Sequence, residues 1–221
     1  MKVITIKNSR QTPLLWLFLF SSVISSCNKN EITYDFSGQV TDQLTNAPLA
    51  DVEFKLSQKT VQNSGTTPDF MFVGSDITDN QGNYDVTIDR NKVTSFYMSY
   101  EKPLYFPLEF EETSANVSTE EINVYNRPLE PQAWIEFDLE NFGPSEDDHL
   151  KLLTQQFREG CDGCGENTTY EYFGALDTSI VYLTTAGEYV KFTLINVNTG
   201  FSQFDSLLAA PFDTATYVFN Y

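Results

Sequence analysis

Apolar side chains recur at every second position along this chain, and that period limits its fold more than any other feature. Ile135, Phe137 and Leu139 alternate with Glu136, Asp138 and Glu140; Val52, Phe54 and Leu56 alternate with Asp51, Glu53 and Lys55. Successive strand side chains point to opposite faces, so such a run fits a strand buried on one side. Tyr34, Phe36 and Val40 share one face of a further extended segment, and Tyr84, Val86 and Ile88 repeat the pattern, as do Phe96, Met98 and Tyr100. Helical periodicity is scarce, turn residues recur at short intervals, and aromatic residues are abundant. The expected class is all-β.

The turns between the first runs have a mechanism. Asn46 suits a left-handed backbone position and Pro48 fixes an extended re-entry. Gly82 is available for positive φ in the turn from Asp79 to Asn83. Residues 57–75 read as an extended surface loop, and the hairpin that follows is expected to return to the sheet of the first two strands. Gly38-x-Val40-x-Asp42, Thr45-x-x-Pro48-Leu49-x-x-Val52-x-Phe54-x-Leu56 and Thr78-Asp79-x-x-Gly82-x-Tyr84-x-Val86 together resemble the carboxypeptidase-regulatory-like domain. Asn46 departs from the glycine usual there, but tolerates the same geometry. The resemblance covers residues 33–127. It implies a small prealbumin-like (transthyretin-like) β-sandwich, common in envelope proteins of Bacteroidetes-type bacteria, that acts as an accessory module without catalytic residues of its own.

The N-terminus reads as a lipoprotein signal peptide over residues 1–26. Lys2, Lys7 and Arg10 form a basic start without an acid, and Leu14 to Phe20 is an apolar run too short to span a bilayer. Small residues then lead into Ile24-Ser25-Ser26-Cys27, which resembles a lipobox. Cys27 is the expected lipidation site, with a palmitate-type acyl anchor, and residues 27–32 form a tether. Asn28 lacks the acid of an inner-membrane retention signal, so the outer membrane is expected; Glu31 alone leaves the facing leaflet open. Removing residues 1–26 takes three cations and no acid, leaving ten against 31 acids, a formal net charge of −21. Such a chain repels phosphate backbones, which argues against nucleic-acid partners, and it remains soluble despite its aromatics.

Beyond Ile88 the pattern continues through Tyr105–Phe110 and then Ile122 and Val124. Pro103 and Pro107 argue for an edge position, and Glu109, Glu111 and Glu112 would discourage edge-to-edge pairing. Residues 128–131, with Pro128 and Pro131, read as an extended connector. A second β-sandwich, immunoglobulin- or prealbumin-like, is expected over residues 132–221. Within it residues 146–159 fit either a helix, with Leu150, Leu153 and Phe157 on one face, or a strand pairing back on its predecessor. The strand is preferred because its neighbours are strands.

Cys161-Asp162-Gly163-Cys164 is the sharpest local motif. In an oxidising envelope it reads as a disulfide pinning a loop. A thioredoxin-like site needs a following helix, and Gly165 to Thr169 is poor helix material. Zinc needs four ligands, and with His149 there are three. Asp76, Asp79, Asn80, Asn83 and Asp85 crowd one turn, yet the spacing of a calcium loop and its closing glutamate are missing. One histidine and no nucleophile or phosphate motif leave no catalytic residue to name. No cofactor is implied. Trp134, Tyr170, Tyr172 and Phe173 are candidates for a glycan platform, with core packing as the alternative. The expected function is an outer-membrane-anchored, non-catalytic binding or structural module, with an envelope protein or a glycan as partner. The alternatives are an accessory subunit of a TonB-dependent uptake system and a hydrolase with a carboxylate pair in the second domain.

Overall fold

The computed structural model describes residues 32–62, 65–66 and 69–221. The expected signal peptide, Cys27 and tether residues 27–31 lie outside the described residues. From Ile32 to Tyr221 the chain forms one compact unit. Its hydrophobic side chains gather into two cores, one from Tyr34 to Leu129 and one from Ala133 to Phe219.

The first lobe contains β1 (Thr33–Asp42), β2 (Glu53–Gln62), β3 (Gly65–Thr66), β4 (Met71–Ile77), β5 (Asn83–Asp89), β6 (Val93–Glu101), β7 (Leu108–Thr113), β8 (Asn123–Val124) and β9 (Arg127–Leu129). β1 pairs antiparallel with β5 and parallel with β8 and β9. The facing sheet runs β3-β2-β6-β7, with β4 also paired to β2. Phe36 packs edge-on against Phe96 at 5.1 Å and Phe54 meets Tyr84 at 4.3 Å, so rings from the two sheets interdigitate.

Each turn motif read from the sequence has a contact behind it. The Asp42 Oδ1 atom accepts the Leu44 and Thr45 N–H groups and the Thr45 hydroxyl, closing the turn in which Asn46 sits at φ 57°. Thr78 is buried; its hydroxyl donates to the Leu49 carbonyl at 2.6 Å and accepts the Val52 N–H at 2.9 Å. Gly82 turns at φ 75° while Asp79 Oδ1 takes the Gln81 and Asn83 N–H groups. At Gly38 an added Cβ would run into the Tyr125 backbone and the Tyr84 hydroxyl.

Several expectations are corrected here. Residues 57–75 are not a surface loop: β2 extends to Gln62 and β4 returns alongside it. β1 and β2 lie in opposite sheets, so the turn at Asp79–Asn83 crosses from the β2 sheet to the β1 sheet. Ile122 and Val124 are exposed. Asn123 is buried between them and hydrogen-bonds Ser118 and Asp35. The expected connector is extended but not free, since β9 is laddered to β1 and Leu129 is buried in the first core. β7 does occupy an edge, with its glutamates along it.

The second lobe contains β10 (Gln132–Glu140), β11 (His149–Gln155), β12 (Thr169–Phe173), β13 (Thr178–Thr185), β14 (Tyr189–Asn196), β15 (Phe201–Leu208) and β16 (Thr214–Asn220). One sheet is β13-β10-β16 and the other β12-β11-β14-β15. Ala133, Ile135, Phe137 and Leu139 all point inward, and Phe137 meets Phe192 of the opposite sheet edge-on at 4.9 Å. The disputed segment is a strand, but it does not pair with β10: β11 lies between β12 and β14 in the facing sheet. Its buried face is Leu150, Leu152 and Thr154, a two-residue period.

Candidate functional site

The feature that sets this molecule apart from two beads on a string is the seam between its cores. Tyr105, just ahead of β7, packs edge-on against Phe212 of the second lobe at 5.3 Å. Its hydroxyl donates at 3.0 Å to Oδ2 of Asp42, the buried residue that closes the exposed turn after β1. Around it the backbones are stitched together. Gln132 donates N–H to the Leu104 carbonyl and accepts from Phe212 N–H, both at 2.8 Å, and Phe106 N–H donates to the Glu130 carbonyl at 2.9 Å. Leu104 and Phe212 adopt φ values of 69° and 64°, left-handed for side chains that rarely go there. Those conformations cost of order 1–3 kcal/mol each and persist because the seam bonds over-determine them.

The disulfide loop reaches the same seam. Cys161 and Cys164 are bonded, with Cα atoms 5.5 Å apart. The loop leaves β11 of one sheet and lies along β13, the edge of the other. Leu183 N–H donates to the Gly163 carbonyl at 2.9 Å and Gly165 N–H to the Leu183 carbonyl at 3.3 Å. An edge strand otherwise offering unpaired N–H and C=O groups is thereby covered. Phe157 anchors the loop in the core, and Arg158 beside it lies 4.1 Å above the Phe106 ring of the first lobe while pairing with Glu130.

Asp42 is the best-defined titratable group of the seam. Burial pushes its carboxyl up, but the hydrogen bonds from Thr45, Tyr105 and Leu44 outweigh this and hold it below the ordinary aspartate value. Burial, followed by the facing Asp42 carboxylate, pushes the Tyr105 hydroxyl up to about 12.

The remaining sequence candidates separate. Tyr170 and Tyr172 pack against the second core, while Phe173 is exposed and stacks on His149 at 4.3 Å. His149 Nε2 lies 2.8 Å from Glu171 Oε2, and Lys151 donates to Glu171 Oε1 at 3.1 Å. Lys151 first, then His149, holds the Glu171 carboxyl below the usual range. Trp134 sits on the outer face of β10, half-buried, apart from those tyrosines. Asp76 spends its carboxylate on the Ile77 and Asp85 N–H groups, as Asp79 does within its turn. Among the described residues no group of three or more His, Cys, Asp or Glu side chains is arranged to hold a metal. An open cleft of about 650 Å³ is lined by Asp51, Glu53, Glu101, Lys102, Tyr105 and Glu109. Lys55 pairs with Glu53 and Glu101 at its rim.

The seam residues escaped the sequence reading. Pro103 and Pro107 mark an irregular stretch around Tyr105, but nothing local announces Asp42, Phe212 or Arg158 as its neighbours.

No model of a known protein family matches the chain, and no curated protein matches it. Solved structures give partial likenesses. The Bacillus anthracis TIE protein is 8% identical with a TM-score of 0.36, over 86% of this chain and 34% of that one. A streptococcal ancillary pilin is 13% identical with a TM-score of 0.35, over 86% and 63%. GBS52, the minor pilin of Streptococcus agalactiae, is 11% identical with a TM-score of 0.33, over 85% and 94%. This chain thus spans about a third of the first and under two thirds of the second. Likeness at this level assigns neither a family nor an activity.

Proposed function

We propose that this chain is a lipid-anchored, non-catalytic structural and binding module of the outer membrane. Its first lobe acts as a carboxypeptidase-regulatory-like β-sandwich that carries the second as one rigid unit toward an envelope protein or a glycan. The observation that carries this reading is the seam: hydrogen bonds, the Tyr105–Phe212 ring contact and the Arg158–Glu130 pair join the cores without a free linker. A support of this kind needs fixed geometry more than a reacting group. On the second lobe Glu136 accepts from Ser179 and Thr216, and Glu171 is held by Lys151 and His149.

Spin labels at exposed Ile77 of the first lobe and Val181 of the second test the rigidity. One narrow distance distribution is expected in the wild-type chain, broadened when Tyr105→Ala is combined with Arg158→Ala. A broad distribution in the wild type would refute a rigid support.

A further inference from the structure

Resting on the lipid anchor proposed above, we infer that the tether-side end of the first lobe docks flat on a phospholipid surface bearing anionic headgroups. Cys27 precedes Ile32 by five residues, and a fully extended chain spans at most about 3.6 Å per residue. Chain length therefore keeps an acylated Cys27 within about 18 Å of the start of β1, and that end of the lobe is within reach of the bilayer.

That end presents exposed apolar side chains together with cations. Arg90 N–H donates to the Ile32 carbonyl at 2.9 Å, and Val61 N–H to the Lys92 carbonyl at 2.7 Å, so the end of β2, the turn before β6 and the entry of β1 share one rim. The start of β4 joins them, because Met71 is registered opposite Gln58, and Val73 shares a cavity with Asp89 and Asn91. Val61, Met71 and Phe72 are 48%, 56% and 64% exposed there, and Ile32 is 52% exposed. Lys59, Arg90 and Lys92 stand among them, three of the nine cations of the described residues.

Elsewhere Lys55, Lys151 and Arg158 each have an acidic partner, Lys102 donates to the Ala50 carbonyl and Arg127 lies over the Phe110 ring. Among the described residues Arg90 and Lys92 have none within ion-pair range, and Lys59 lies over the Phe70 ring at 4.2 Å. The same end also carries Asp69, Asp89, Glu120 and Glu121. With four acids against three cations this end has no net positive charge, so attraction is confined to the immediate surroundings of Lys59, Arg90 and Lys92, and the exposed apolar side chains must contribute by entering the headgroup boundary. Apolar groups flanked by Lys and Arg with long aliphatic stems are the chemistry of an interfacial contact. Each such contact is weak alone, and the acyl anchor raises its effective concentration.

The test uses the full lipidated chain reconstituted in phosphatidylglycerol/phosphatidylcholine vesicles, with Phe72→Trp as the reporter and Val181→Trp on the second lobe as the control. Flotation with the vesicles reads the anchor, and emission of the new tryptophan, in a Trp134→Phe background, reads the docking. Expected are a blue shift, loss of iodide accessibility and quenching by doxyl-labelled lipid at position 72 and not at 181. Combining Lys59→Glu, Arg90→Glu and Lys92→Glu, or using phosphatidylcholine alone, should abolish these effects while flotation persists. A protein that floats but keeps position 72 open to iodide overturns the docking and leaves the anchor standing. A protein that does not float overturns the anchor and the docking with it. Shielding of position 72 in native envelope membranes but not in protein-free vesicles assigns the face to a protein and overturns the lipid assignment.

Discussion

The Tyr105 hydroxyl donates to Asp42 Oδ2 at 3.0 Å, joining residues 63 positions apart at the boundary between the two cores. Tyr105→Phe removes one of four donors to a buried carboxylate, and a hydrogen bond to a charged group contributes about 1.5–3 kcal/mol. Denaturant unfolding at neutral pH should show a loss of that order. Because the folded Asp42 carboxyl lies below its unfolded value, its contribution is present above the ordinary aspartate range near 4 and is lost as pH falls through the folded value. The gap between wild type and Tyr105→Phe should therefore close in acid. A gap that stays constant down to pH about 2 would separate Tyr105 from the charge on Asp42.

Alkali should attack the first core. Burial pushes the Tyr84 hydroxyl up to about 12 and raises Tyr100, its hydrogen-bond partner at 2.8 Å, as well. A folded value above the unfolded one means stability is complete below the ordinary tyrosine value near 10 and falls as pH rises beyond it. Absorbance at 295 nm should show a subset of the 12 tyrosines ionising only as circular dichroism is lost. All twelve titrating together near the ordinary value with the fold intact would contradict the packing.

The disulfide closes a short loop, for which chain entropy gives about 2 kcal/mol. Cys161→Ser with Cys164→Ser should lower stability by that order and speed hydrogen exchange at the Leu183 amide, which donates to Gly163. Unchanged exchange at Leu183 would mean that Phe157 and Arg158 hold the loop without the bond.

Acids guard the sheet edges by a repeated device. Asp76, Glu112 and Asp205 each accept the N–H of the next residue on the edge strands β4, β7 and β15, and Asp213 does so at the start of β16. Asp205→Ala frees the Ser206 N–H on an edge that also exposes Phe204 and Leu208. Sedimentation should then show concentration-dependent association, since an unguarded edge invites pairing. A monomeric Asp205→Ala across all concentrations would deny the guard its role.

What the sequence disclosed was local. Ile135, Phe137 and Leu139 declare a strand because one face is buried, and Asp42, Asn46 and Gly82 declare turns because their side chains or φ values act within a few residues. β4 hid because it is an edge strand whose Met71, Phe72 and Ile77 face solvent, so no alternation marks it. β11 imitated a helix because Phe157, buried from the loop beyond it, fell at helical spacing from Leu150 and Leu153. Sheet membership of β1 and β2 and the meeting of Tyr105 with Phe212 are relations between distant segments, which no local period encodes.

Lipid tethering at Cys27 is tested most directly by feeding a labelled fatty acid to cells expressing the full chain and its Cys27→Ser variant, then separating membranes from soluble proteins. The wild-type chain should carry the label and sediment with the outer membrane, and the variant should be unlabelled and soluble. Equal membrane partitioning of the two chains, with or without label, would contradict the anchor on which the proposed role rests.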